Sequence, residues 1–391
     1  MTGVSQRAGQ VQPPIIPIVA DWIRAHPGTL SLGQGVVGYG PPPEAWEEMQ
    51  RLRREPQLNR YQPVDGLPEL VEALRLKLRE AHGIRVGDTG DDPVVMVAAG
   101  SNSAFLQVIL AVCDPGDEVI LPVPYFFNQE MALTMTGVKP VPVRCGPLHQ
   151  LDPEAIEAAI TPRTRAVVTV SPNNPTGAVY SEDQLRAVNR LCAAHGLFHI
   201  SDEAYEAFTF GGARHVSPGA FDGAGEHTIS LFSFSKSHGF ASWRTGYAVV
   251  PARLQGALRK IQDTNQICPP VVSQLGALGC LRAGPGWVAE RLSELGRVRS
   301  LVLEQLRSVA DRVEIGPAFG AFYVLLRVQG RAEPMEFTRR LISEHRIAVI
   351  PGTAFGLRDG CWLRMAYGAL TPETALEGVG RFVEGLQALP R

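Results

Sequence analysis

Between residues 94 and 251 the chain alternates short apolar runs with stretches whose apolar positions recur every three or four residues. The runs Val94–Ala99, Glu118–Pro122, Arg165–Val170, Leu197–Ser201, Thr228–Phe232 and Thr245–Val250 are β-rich and read as strands. The stretches between them read as helices. Phe105–Val112 follows the first strand, and Leu185, Val188, Leu191 and Cys192 recur at helical spacing after a capping box formed by Ser181 and Gln184. This order predicts an α/β fold with a mostly parallel sheet flanked by helices.

The flanks differ in texture. Residues 1–45 are rich in proline and glycine, and after a helical stretch (Ala252–Gln266) and a break at Cys268-Pro269-Pro270, helices dominate until Phe322–Val328 and Ile347–Ile350. The expected organisation is a large α/β domain over 46–285 and a smaller α+β domain made of 1–45 and 286–391.

Composition narrows the function classes. Across 391 residues, 37 basic side chains face 39 acidic ones, so nothing calls for nucleic acid or an anionic membrane as partner. No apolar stretch approaches the roughly 18 residues of a spanning helix, and Pro13, Pro14 and Pro17 interrupt the one candidate leader. Six scattered cysteines without a C-x-x-C pair suggest neither a disulfide framework nor a zinc site. The nine histidines show no metal-ligand spacing, so no metal is expected. A cytoplasmic, soluble protein with reduced thiols is the expectation.

Two motifs mislead. Gly33-Gln34-Gly35-Val36-Val37-Gly38 fits the dinucleotide pattern, but Tyr39-Gly40-Pro41-Pro42-Pro43 follows where a helix should open onto a pyrophosphate. Ser233-Phe234-Ser235-Lys236 fits the S-x-x-K of penicillin-recognising enzymes, whose partner motifs are absent.

Only four of the basic residues are lysines: Lys77, Lys139, Lys236 and Lys260. Arginine could serve at three of these positions. Lys236 differs, because it lies in an apolar, hydroxyl-rich run with no acid between Thr228 and Gly246. Partial desolvation there would favour the neutral amine that a Schiff base requires. Arg244 with Ser233 and Ser235 would suit a phosphate monoester beside it. Asp202 closes another strand, where open α/β sheets place ligand contacts, and could keep a pyridine nitrogen protonated; it could equally cap a helix. Asn174, in Ser171-Pro172-Asn173-Asn174-Pro175-Thr176-Gly177, sits at the same edge or simply in a turn. Gly100-Ser101-Asn102-Ser103 joins a strand to a helix N-terminus, which offers N–H groups to a phosphate.

Together, and in this order, these segments resemble the fold type I pyridoxal-phosphate enzymes, specifically the class I/II aminotransferases. The resemblance runs from Leu32-Gly33-Gln34-Gly35 to Trp362-Leu363-Arg364-Met365 and is most specific at Ser233–Gly246. It implies a seven-stranded sheet and covalent pyridoxal 5′-phosphate, held as an aldimine on Lys236, which also shuttles the proton. Asp202 would partner the pyridine nitrogen, and Asn174 and Tyr205 would donate to the phenolic oxygen. Gly100, Ser101, Asn102, Ser233 and Arg244 would hold the phosphate, and Phe126 would stack on the ring. Arg364 would grip the substrate α-carboxylate, with Gly35, Asn174 and Tyr39 beside it. Tyr61 would reach the phosphate of a neighbouring subunit, which makes the enzyme a homodimer with shared sites.

The implied reaction is ping-pong transfer of an amino group between an L-amino acid and a 2-oxo acid. Several dicarboxylate-specific relatives carry a lysine where this chain has Asn102, so an aromatic or large apolar donor, methionine included, is expected, with Tyr39, Phe322 and Phe355 as pocket candidates. The alternatives are an aspartate-type aminotransferase, or a C–S lyase or aminocyclopropane-carboxylate-synthase-like enzyme on the same fold.

Overall fold

The computed structural model describes residues 3–87 and 89–389. Thirteen strands lie among them: β1 (Leu30–Ser31), β2 (Val94–Ala98), β3 (Glu118–Val123), β4 (Lys139–Arg144), β5 (Thr164–Val170), β6 (Phe198–Asp202), β7 (Thr228–Ser233), β8 (Gly246–Val250), β9 (Val313–Ile315), β10 (Tyr323–Val328), β11 (Ile347–Ala348), β12 (Ile350–Pro351) and β13 (Cys361–Ala366). Seven form one sheet in the order β2-β8-β7-β6-β5-β3-β4, parallel from β7 to β4, with β8 antiparallel to both neighbours.

All six expected strands are present with shifts of one residue at their ends. The seventh, β4, has no counterpart in the sequence reading, because Pro140 and Pro142 argue against a strand. Its place at the sheet edge reconciles the two, since only one side of an edge strand must donate to a neighbour.

Alternate residues of each strand face opposite layers. Met96, Ala98, Val119, Leu121, Val168, Ile200 and Leu231 bury against the Ser101–Val112, Phe127–Thr136 and Gln255–Gln266 helices. Val95, Val97, Phe232 and Val249 face the Pro68–His82 and Val271–Arg282 helices. The Glu182–His195 helix begins with the expected Ser181/Gln184 capping box. The Ser101–Val112 helix starts four residues earlier than its apolar pattern suggests, with Gly100 at its N-cap, so Ser101 and Asn102 form its first turn rather than a preceding loop.

The Ile347–Ile350 run is two short strands serving different sheets: β11 pairs in parallel with β1, and β12 pairs with β13 in a four-stranded sheet completed by β10 and β9. No helix opens within Gly33–Gly38, and the next begins at Pro43, which removes the dinucleotide reading. Lys77 is more than a solvated charge. Its ammonium reaches inward to Glu206 and, at 3.2 Å, to the Tyr247 hydroxyl. Among the described residues no helix is long and apolar enough to cross a membrane.

Candidate active site

The C-terminal ends of the parallel strands open onto a cavity of about 260 Å³. Because β8 runs against its neighbours, its beginning lies at that same edge: Gly246 pairs with Ser233 of β7 and with Ala98 of β2. The register brings Ser101, Ser233, Ser235 and Arg244 to one end of the cavity, although they are far apart in sequence. Close packing there depends on two glycines. Gly100 has φ +85°, and a Cβ on it would strike the Arg244 guanidinium; a Cβ on Gly246 would lie 2.7 Å from the Ser101 nitrogen. Arg244 Nη1 donates to Ser235 Oγ at 3.3 Å. Ser233 Oγ accepts from the Ser235 N–H at 3.1 Å, so it caps the short turn that carries Lys236 and keeps its proton to offer elsewhere.

Lys236 projects from that turn, and its Nζ donates to the Gly35 carbonyl at 2.6 Å. Burial, then the charges of Arg364 and Arg244, lower its ammonium to about 8, with Asp202 opposing them. Asp202 is the last residue of β6. Its Oδ1 accepts from the Ala204 N–H at 3.2 Å and its Oδ2 from Gln129 Nε2 at 2.8 Å. Burial raises its carboxyl to about 6.

Asn174 is positioned by the turn that follows β5. Asn173 Oδ1 accepts from the Thr176 N–H and hydroxyl, at 3.1 and 2.8 Å, and closes that turn. Asn174 Oδ1 accepts from Arg364 Nη1 at 2.9 Å, and its Nδ2 donates to the Tyr205 hydroxyl at 3.4 Å. Arg364 also donates through Nη2 to the Gly33 carbonyl at 2.5 Å, while its Nε is buried without a hydrogen-bond partner. A buried guanidinium with an unpaired donor beside a cavity is suited to a carboxylate.

Most of the expected site residues meet here. Gly35, Ser101, Asn102, Phe126, Asn174, Asp202, Tyr205, Ser233, Lys236, Arg244 and Arg364 all line the cavity. Tyr39 does not. Its hydroxyl donates to the carbonyls of Lys236 and Ser237 at 3.3 Å each, and its ring packs edge-on against Trp287. The reason is backbone docking, since a Cβ on Gly239 would collide with the Tyr39 carbonyl, and this turns the side chain behind the lysine turn. Phe322 and Phe355 are also absent from the lining: the first packs edge-on against Tyr205, the second against Phe127 and the Arg364 guanidinium. Tyr61 is 79% exposed and away from this cavity.

Gln129, Tyr323 and Ile16 are among the residues that the sequence reading missed. Gln129 lies one helical turn beyond Phe126, a spacing that could have revealed it. Tyr323, whose hydroxyl is 2.7 Å from that of Tyr205, arrives from β10 with no local signal. Ile16 comes from the N-terminal Ile15–Ala25 helix.

Comparison with known proteins agrees with this geometry. Residues 27–382 match the family model for aminotransferase class I and II. An aromatic aminotransferase of Arabidopsis thaliana is 34% identical over 99% of this chain and 97% of its own length. A probable aspartate/prephenate aminotransferase of Aquifex aeolicus is 31% identical over 99% of both. Among solved structures, aspartate aminotransferase from Thermus thermophilus with maleate superposes with a TM-score of 0.90 at 30% identity, covering 98% of this chain and all of its own. The chain thus belongs to the class I and II aminotransferases, pyridoxal-phosphate enzymes that act on amino and 2-oxo acids.

Proposed function

We propose that Lys236 is the covalent anchor for pyridoxal phosphate and the base of the reaction, and that the preferred amino donor has an aromatic or large apolar side chain. The observation that supports the first part is the partly buried amine between Asp202, Arg244 and Arg364 with its ammonium lowered to about 8.

The chain's residues fit that cofactor. Gly100 and Gly246 leave an open cradle where a side chain would intrude, next to a helix N-terminus whose first N–H groups lack intrahelical partners. Arg244 faces this end, and the buried Asp202 carboxylate, without a charged donor on either oxygen, faces the other. When bound, pyridoxal phosphate supplies the electron sink for charge developing at the substrate Cα.

The protein supplies the rest. Arg364 receives the α-carboxylate, and Asn174 holds its fork in plane through Oδ1. The Lys236 amine, once free, would take the proton from the substrate Cα and hold it for return on the same face. Asp202 would hold a proton on the pyridine nitrogen, and Gln129 fixes that carboxylate. Asn174 and Tyr205 would donate to the phenolic oxygen, and Phe126 would lie against the ring. Tyr61 would complete the site of a second copy, and residues 46–285 would form the large domain carrying this machinery.

Charge counting supports the substrate preference. The cations lining the cavity among the described residues are Lys236, Arg244 and Arg364, and each is already assigned. None is left for a distal carboxylate, and Asn102 occupies the loop where a lysine could have read one. Ile16, Val36 and Phe127 add apolar lining.

Single-turnover mixing of holoenzyme with a panel of amino acids tests both parts. Phenylalanine, tyrosine and methionine should convert the visible chromophore faster than aspartate at equal concentration, and Lys236→Ala should lack both the chromophore and turnover. Fastest conversion by aspartate would overturn the substrate reading, and turnover in Lys236→Ala would overturn the anchor.

A further inference from the structure

We propose that Tyr323 is a positioning residue whose hydroxyl donates to the Tyr205 oxygen and so turns the Tyr205 proton into the cavity. This rests on the reading above, in which Tyr205 donates to the phenolic oxygen of the cofactor.

The direction of each hydrogen bond follows from donor arithmetic. Arg364 has only donors, so the Asn174 atom that meets Nη1 at 2.9 Å must be Oδ1. The Asn174 amide nitrogen is thereby committed to the Tyr205 oxygen, at 3.4 Å. The Tyr205 and Tyr323 hydroxyls lie 2.7 Å apart, both buried, and only one of them can donate across that gap.

The surrounding charges choose which. The Arg364 guanidinium carbon lies 4.5 Å from the centre of the Tyr323 ring, where its charge stabilises electron density withdrawn from the hydroxyl and strengthens it as a donor. Tyr205 has a more distant cation over its ring, the Lys236 amine at 5.9 Å, and although Arg364 acts on it too, the Asp202 carboxylate opposes both. Tyr323 therefore donates and Tyr205 accepts. With Asn174 Nδ2 and Tyr323 both donating to its oxygen, Tyr205 has its proton free for the cavity.

The backbone holds this arrangement in place. A Cβ on Gly177 would lie 2.5 Å from the Tyr323 carbonyl, and the Gly320 N–H donates to the Gly177 carbonyl at 2.8 Å. The turn carrying Asn174 and the strand carrying Tyr323 are thus docked main chain to main chain. On the other side, any side chain at Gly35 would strike the Tyr323 hydroxyl.

A proton donated to the phenolic oxygen favours the form of the chromophore in which that oxygen carries more charge, so donors there lower the pH at which the lysine-linked chromophore loses its proton. Without Tyr323 to anchor it, the Tyr205 proton can turn away from the cofactor.

The test is an absorbance–pH titration of wild type, Tyr323→Phe, Tyr205→Phe and the double variant as holoenzymes. A Lys236→Ala control first establishes that the chromophore depends on Lys236; if it persists there, the underlying reading fails rather than this one. Tyr323→Phe keeps the ring and its packing, so its melting temperature should stay near wild type while its chromophore midpoint rises by about half to one pH unit. The double variant should match Tyr205→Phe alone. An unchanged midpoint in Tyr323→Phe overturns the proposal, and so does a double variant shifted beyond Tyr205→Phe. Steady-state kinetics separate positioning from simple support of Arg364: kcat should fall with little change in KM, whereas a raised KM with an unmoved midpoint would assign Tyr323 to Arg364 instead.

Discussion

A carboxylate kept for a cationic partner should be a burden when that partner is missing. Burial raises the Asp202 carboxyl from its ordinary 3.8 to about 6 in the protein alone. Below pH 3.8 the folded and unfolded chains both carry the proton, and it costs nothing. Between 3.8 and 6 the unfolded chain ionises first and gains, and above 6 the penalty is complete. At 1.36 kcal/mol per pH unit the folded, cofactor-free protein loses at most about 3 kcal/mol at pH 8, and about half of that at pH 5. Asp202→Asn removes the charge and keeps the shape. Gln129 can accommodate the change, because its Oε1 is buried without a partner and could accept from the new amide after a flip. The cofactor-free variant should therefore melt above cofactor-free wild type at pH 8, by about 3–4 °C for a cooperative transition of a chain this long. The gap should narrow towards pH 5. With pyridoxal phosphate bound the order should reverse, since the wild-type carboxylate then has its cation. Differential scanning calorimetry of both proteins, with and without cofactor, reads all four values. A cofactor-free variant less stable than wild type at pH 8, or a gap that does not change with pH, would refute the reasoning.

Two further substitutions probe the two ends of the cavity. Arg364→Ala removes two charge-assisted hydrogen bonds to the substrate carboxylate, so kcat/KM for the amino donor should fall by roughly a hundredfold, or about 3 kcal/mol, while the resting absorbance spectrum persists; a loss under fivefold would place the carboxylate elsewhere. Gly100→Ala combines a backbone conformation suited to glycine with a methyl driven into the Arg244 guanidinium, and it should weaken cofactor retention about tenfold or more in equilibrium dialysis. Unchanged retention would detach Gly100 from the phosphate end.

Legibility in the sequence followed locality. Lys236, Asp202 and Asn174 could be picked out because each sits at or within four residues of the end of an apolar strand, and in a parallel sheet strand ends converge. Arg364 and Tyr205 needed the resemblance, since nothing in their own neighbourhoods marks them. Tyr323 was out of reach: its meaning comes from a turn over 140 residues earlier, joined to it through Gly177 and Gly320. Tyr39, Phe322 and Phe355 failed for the opposite reason. Large aromatics near a site motif are as readily claimed by packing, and which side of the backbone they occupy is decided by contacts such as that of Gly239 with the Tyr39 carbonyl, which leave no periodic trace. The prolines of β4 hid a strand that only the sheet edge could tolerate.

The reversal of β8 has a consequence for how the enzyme matures. Ser101 and the Ser233–Arg244 segment become neighbours only once β8 has been inserted between β2 and β7. No shorter piece of chain can assemble that end of the cavity, and β2, as the outermost strand, has just one neighbour to keep it in register. Cofactor capture would then act as an inspection step: it rewards chains whose edge strand is correctly seated and passes over compact forms in which it is not. Damage along β2 should therefore surface first as chains that are folded elsewhere yet colourless.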